Sequence, residues 1–153
     1  MSGSAKLIRQ IEIELAQLEG LTERHPQLLV KGPHELPTPL EIDALAALLH
    51  SFYTGVENLF KRISVTLDGG LPEGESWHVQ LLDSMMHPTD LRGPVITEEL
   101  RTSLRRFLGF RHMFRHAYSF ELQWSKMAPL VNQCRATFAQ LRAEVRLFLG
   151  ELK

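Results

Sequence analysis

The chain has 153 residues, enough for one domain of ordinary size, and we read it as a single domain over residues 1–153. Its content, 44% hydrophobic and 23% charged, is that of a folded globular protein and excludes disorder. No apolar run approaches the ~18 residues of a membrane span and the N-terminus has no signal-peptide core, so a cytoplasmic protein away from membranes is expected. The single cysteine, Cys134, excludes an internal disulfide framework and a multi-cysteine zinc site.

The periodicity is helical nearly throughout. Ile8, Ile11, Leu15 and Leu18 recur every three or four residues and predict a first helix over about residues 4–22. His25-Pro26 and the run Gly32–Pro37 form a connector, since proline removes donors and disfavours the helical region before it. Thr38-Pro39-Leu40-Glu41 has the form of a capping box with proline at the first helical position. From Leu45 to Leu67 one apolar stripe (Leu49, Phe52, Val56, Leu59, Ile63) predicts a long helix that stops at Asp68-Gly69-Gly70. A short helix follows over about 75–86, with Trp77, Leu81, Leu82 and Met85 on its inner side.

Thr97 with Glu98 and Glu99 starts the next helix, an oxygen cap followed by acids that favour the dipole, running to about residue 120. Pro129 belongs near the start of the last helix, whose stripe runs Leu130, Cys134, Phe138, Leu141, Val145, Phe148, Leu152. No alternating β-branched segment with hairpin turns is present. The expected fold is all-α, an antiparallel four-helix bundle plus one short extra helix.

Net charge is −1, but it is unevenly spread. Residues 1–99 carry seven basic and fifteen acidic side chains, whereas residues 100–143 carry eight basic and one acidic. Either the acidic helices neutralise this basic segment, or it forms a phosphate-binding surface, as clustered arginines do on nucleic-acid backbones. Within it, the stripe Leu100, Leu104, Phe107 continues into Arg111 before Phe114 and Tyr118. An arginine on an apolar stripe is costly unless it meets a carboxylate, a phosphate or water. An acid of the first or second helix, such as Glu57, is the structural answer.

His112, Arg115 and His116 beside it open a chemical answer, because imidazole titrates near neutral pH and moves protons in phosphoryl chemistry. His112 and His116 are four apart, a metal-ligand spacing, but three arginines within ten residues, Arg106, Arg111 and Arg115, would repel a divalent cation. His50, His78 and His87 read as core or surface histidines, and Cys134 as a small buried hydrophobe. No phosphate-cradling glycine loop or nucleophile elbow occurs.

The segment Phe110–Trp124, FRHMFRHAYSFELQW, resembles the R-x4-H-x-Y signature of HepT-like proteins, HEPN-superfamily ribonuclease toxins of bacterial toxin–antitoxin modules. The second-helix segment His50–Ile63 and Trp77-His78 leading into Leu81-Leu82 are similar to the same family, so the resemblance covers roughly residues 40–130. Arg106-x5-His112 and Arg105-x6-His112 also satisfy the looser HEPN spacing; the tyrosine and its aromatic flanks favour Arg111 and His116.

The resemblance implies that Arg111 and His116 are catalytic and that Tyr118 is modified by a nucleotidyltransferase antitoxin, which attaches AMP. It implies a homodimer whose two motifs face each other across a cleft. Where the family usually has asparagine or aspartate after the motif arginine, this chain has His112. The expected activity is metal-independent cleavage of RNA without a cofactor, with His112 and Arg115 in support and Arg105 and Arg106 on flanking phosphates. A non-catalytic partner of a minimal nucleotidyltransferase is the alternative. Positions five apart on an ideal helix point about 140° apart, so distortion, arginine reach or a second protomer must bring Arg111 and His116 to one phosphate.

Overall fold

The computed structural model describes residues 2–24, 36–116 and 122–152. Those residues form five helices: α1 (Ser2–Glu23), α2 (Pro39–Leu67), α3 (Trp77–Ser84), α4 (Glu98–His116) and α5 (Trp124–Leu152). Among them there is no strand, only an isolated bridge between Thr89 and Arg92. The expected all-α architecture of four long helices and one short one is what is found. The connector over residues 25–35 and the stretch 117–121 lie outside the described residues.

Helix α2 is the central element, packed against each of the others. Glu14 and Leu18 of α1 meet Arg62 and Gly55 of α2, so those two helices run antiparallel. Thr97 reaches Glu144 while Arg106 reaches Gln133, so α4 and α5 are antiparallel as well. Apolar stripes on all five converge on one core that includes Leu15, Phe52, Phe60, Leu104, Phe107 and Leu141. The α1 stripe begins at Leu7, which is buried, with Ile8 at its edge.

Local signals set the helix ends. The Thr38 hydroxyl accepts from Glu41 N at 3.2 Å, and the Glu41 carboxylate accepts from Thr38 N at 2.9 Å, closing the capping box. At the other end of α2 the amides of Asp68 and Gly70 both donate to the Ser64 carbonyl. Gly69 and Gly70 hold φ of 82° and 136°, in the region that favours glycine, and so stop the helix. Thr97 caps α4 by accepting from Leu100 N, and Glu144 of α5 takes both its amide and its hydroxyl. Pro129 lies near the start of α5, within its second turn, five residues past Trp124, and deprives the Ser125 carbonyl of a helical donor.

Between α3 and α4 the chain is pinned by Arg92, whose side chain is wholly buried. It makes two 2.8 Å bonds to Asp68 and donates to the carbonyls of Ser84, His87 and Gly93. This clamp fixes α3 against the end of α2. The bond from Arg101 to Asp83, 2.6 Å, ties α3 to α4. Together they place His78 of α3 beside the middle of α4.

Candidate functional site

Helix α4 carries one apolar face inward through Leu100, Leu104, Phe107 and Phe110, and Arg111 continues that face. The Arg111 guanidinium, whose side chain is 3% exposed, donates from Nη2 to Glu57 Oε2 at 2.9 Å. Its Nη1 lies 3.4 Å from the Thr54 hydroxyl, and its Cζ sits 5.0 Å from the centroid of the Tyr53 ring. The carboxylate partner is the one anticipated for a stripe arginine. Removing either member of such a buried pair strands the other, typically at ~3–5 kcal/mol. Burial raises the Tyr53 hydroxyl far above its usual pKa, with the Glu57 charge adding to it, so Tyr53 stays neutral beside the arginine.

His78 enters the same cluster from α3. Its Nδ1 is 2.7 Å from Glu57 Oε2 and 3.2 Å from Arg111 Nη2. A 2.7 Å approach to a carboxylate oxygen requires Nδ1 to carry the proton and donate it. Arg111 and His78 are then two donors sharing one acceptor, and the 3.2 Å contact between them is not a hydrogen bond. From the sequence His78 reads as a core or surface histidine, because only the α3 docking just described brings it to Arg111. The faint signal was its place in the Trp77-His78 pair, inside the segments that resemble the family.

The opposite face of α4 is exposed: Arg105, Arg106, Gly109, His112, Arg115 and His116. The His112 and His116 rings touch edge-on at 4.8 Å between centroids. Helix α4 is a regular α-helix through His116, so no distortion up to that residue turns Arg111 toward it. Within one chain, Arg111 points in and His116 points out. Tyr118 lies outside the described residues. His50 of α2 packs tilted against Phe114, 5.4 Å between ring centroids, and burial, then Arg115 and Arg111, lower its pKa. Among the described residues no group of three or more histidine, cysteine or acidic side chains could hold a metal ion.

The eight basic residues of the 100–143 segment divide in two. Arg101, Arg111 and Arg142 pair with Asp83, Glu57 and Glu19. Arg105, Arg106, Arg115, Lys126 and Arg135 are exposed and have no carboxylate within 4 Å among the described residues. Neutralisation within the fold is therefore partial, and a solvent-facing basic strip remains on α4 and α5. Depressions of about 410 and 350 Å³ follow the α1–α2 seam, lined by residues such as Lys6, Lys61, Glu14 and His50. None of Arg111, His112 and His116 lines them; His112, Arg115 and His116 are exposed on α4, a surface that suits an extended polyanion more than an enclosed small molecule.

The sequence model of a family described as HepT-like protein matches residues 44–152. Its span takes in α3, α4, nearly all of α2 and α5, and every residue of the buried cluster. No curated protein matches the chain, and no solved structure does. No helix among the described residues is long and apolar enough to cross a membrane.

Proposed function

The chain belongs to the HepT-like family, and on that premise we propose that it is a metal-independent endoribonuclease, the toxin of a toxin–antitoxin module, acting as a homodimer. The observation that carries this reading is the combination on α4 of a carboxylate-backed arginine with an outward strip of arginines and histidines that no acid among the described residues neutralises. Arg111 binds the scissile phosphate and stabilises its developing charge, exchanging Glu57 for the phosphate so that the guanidinium stays paired throughout. His116 supplies a proton to the leaving 5′-oxygen, with His112 and Arg115 in support. Arg105 and Arg106 hold flanking phosphates.

Attack by the RNA's own 2′-hydroxyl needs no separate nucleophile, metal or cofactor, and leaves a 2′,3′-cyclic phosphate. Since Arg111 and His116 diverge on one regular helix, a cleft between two protomers supplies the convergence. Tyr118 is the residue to which a nucleotidyltransferase antitoxin attaches AMP. A bulky anionic group there competes with the RNA backbone for the α4 cations. Mass spectrometry of Tyr118 after co-expression with such a partner detects the added AMP; an unmodified tyrosine in an inactive complex contradicts this mode of control.

One observation favours a second reading, a non-catalytic binding partner of a nucleotidyltransferase: Arg111 is buried and paired with Glu57, as a structural arginine would be. Incubating labelled RNA in EDTA with the wild type and with Arg111→Ala and His116→Ala separates the two. The nuclease reading expects cleavage by the wild type and loss of about two to four orders of magnitude in each variant. No cleavage by any of them, with Tyr118 verified as unmodified, supports the binder. Equal cleavage by all three removes both residues from the site.

A further inference from the structure

We propose that His78 is the general base of the cleavage step, oriented by Glu57, an inference that rests on the nuclease reading above. His116 alone serves one of the two proton transfers that the reaction requires, and the buried cluster contains a group built for the other. Glu57 Oε2 lies 2.7 Å from His78 Nδ1, which fixes the tautomer with the proton on Nδ1 and leaves the Nε2 lone pair free. No hydrogen bond from the described residues reaches Nε2. Among the described residues no buried side-chain nitrogen lacks a partner, so Nε2 meets solvent, in keeping with a side chain that is 28% exposed.

A carboxylate behind an imidazole holds the ring in one orientation and stabilises the imidazolium formed when the far nitrogen takes a proton. Three charged groups surround the ring: Glu57 from α2, Arg111 from α4, and Lys61 of α2, whose ammonium sits 5.1 Å over the Trp77 ring that stacks on His78. Two of them are cations, so a phosphate attracted there brings its ribose against Nε2. When that phosphate draws Arg111 off Oε2, the carboxylate is left wholly to His78 Nδ1–H. Glu57 is thus a positioning residue for both partners in turn.

In the step itself the 2′-oxygen gives its proton to His78 Nε2 and forms a bond to phosphorus, while the bond from phosphorus to the 5′-oxygen breaks. The leaving oxygen takes a proton from His116 imidazolium. The products are a 2′,3′-cyclic phosphate and a 5′-hydroxyl, and both histidines return to their starting states by exchange with water.

The test is single-turnover cleavage, across a range of pH, of RNA with an ordinary 5′-oxygen leaving group and of RNA with a bridging 5′-sulfur. Wild type, His78→Ala and His116→Ala are compared, with folding of each checked by circular dichroism. On ordinary RNA each variant is expected to lose about a hundredfold to ten-thousandfold. Sulfur leaves without a proton, so it restores His116→Ala but not His78→Ala. With the sulfur substrate, which needs no acid, the wild-type pH–rate profile rises from low pH to a plateau, and in His78→Ala it becomes a continuous rise, where hydroxide replaces the base. A folded His78→Ala within about threefold of wild type overturns the proposal. So does a loss that sulfur repairs, or a loss that leaves the profile's shape unchanged. A wild type that cleaves nothing overturns the nuclease reading and this assignment together.

Discussion

Glu57 holds together the site that this account proposes. It accepts from both Arg111 and His78 through a single oxygen, and the residue is 4% exposed. Glu57→Gln leaves a buried guanidinium without its counter-charge, and a loss of ~3–5 kcal/mol in chemical denaturation is expected. Glu57→Gln together with Arg111→Met removes both charges and should recover most of that loss while activity stays absent. His50 makes a smaller, pH-dependent contribution. Its pKa is lower in the folded chain than its usual 6.5, so the unfolded chain takes up the proton first as pH falls. Stability is full above that value and declines as pH drops through it toward the folded-state pKa, and His50→Gln should flatten the decline in denaturation midpoints. Burial pushes the Cys134 thiol up to about 12, so the native protein should resist thiol reagents at mildly alkaline pH while the unfolded chain reacts.

The helices place these residues, and two contacts between elements decide whether they stay placed. Arg92→Ala would strand Asp68 and three carbonyls together, releasing the segment that docks α3; a loss of ~3–5 kcal/mol is expected. At the α1–α2 crossing, a Cβ on Gly55 would come within 2.6 Å of Leu18, which is itself buried. Gly55→Val should therefore cost ~1–3 kcal/mol by overpacking, read as a lower thermal midpoint.

Most of this level was legible in the sequence, because stripes, capping boxes and paired glycines are local signals. The α2 stripe and its Thr38 cap, the Gly69-Gly70 stop and the Glu57 partner of Arg111 were all readable. The role of Arg92 was not: it sits in a segment read only as loop, and its five bonds depend on where distant turns come together. His78 escaped for the same reason, twenty-one residues from Glu57 in sequence and 2.7 Å away in space. Pro129 falls near the start of α5 as its sequence position suggested, and the packing of Met127, Leu130 and Val131 sustains the helix despite one missing bond.

Across the whole molecule, the charge asymmetry of the sequence becomes a division of labour. Acids of α1, α2 and α3 neutralise the inward or flanking arginines, and the cations left over face solvent along α4 and α5. RNA binding should therefore weaken steeply with salt. Arg105→Ala with Arg106→Ala should lower the slope of log K against log salt by about one to two, given about 0.7 per phosphate contact on single strands, with the fold intact. The central claim is that this surface, in a member of the HepT-like family, cleaves RNA through the substrate's own 2′-hydroxyl. The most direct measurement is the chemistry of the ends left when wild-type protein cuts RNA in EDTA. The expected ends are 2′,3′-cyclic phosphate and 5′-hydroxyl termini, with no cleavage where the scissile nucleotide is 2′-deoxy. Termini with 5′-phosphate and 3′-hydroxyl, or equal cleavage of DNA, would contradict it.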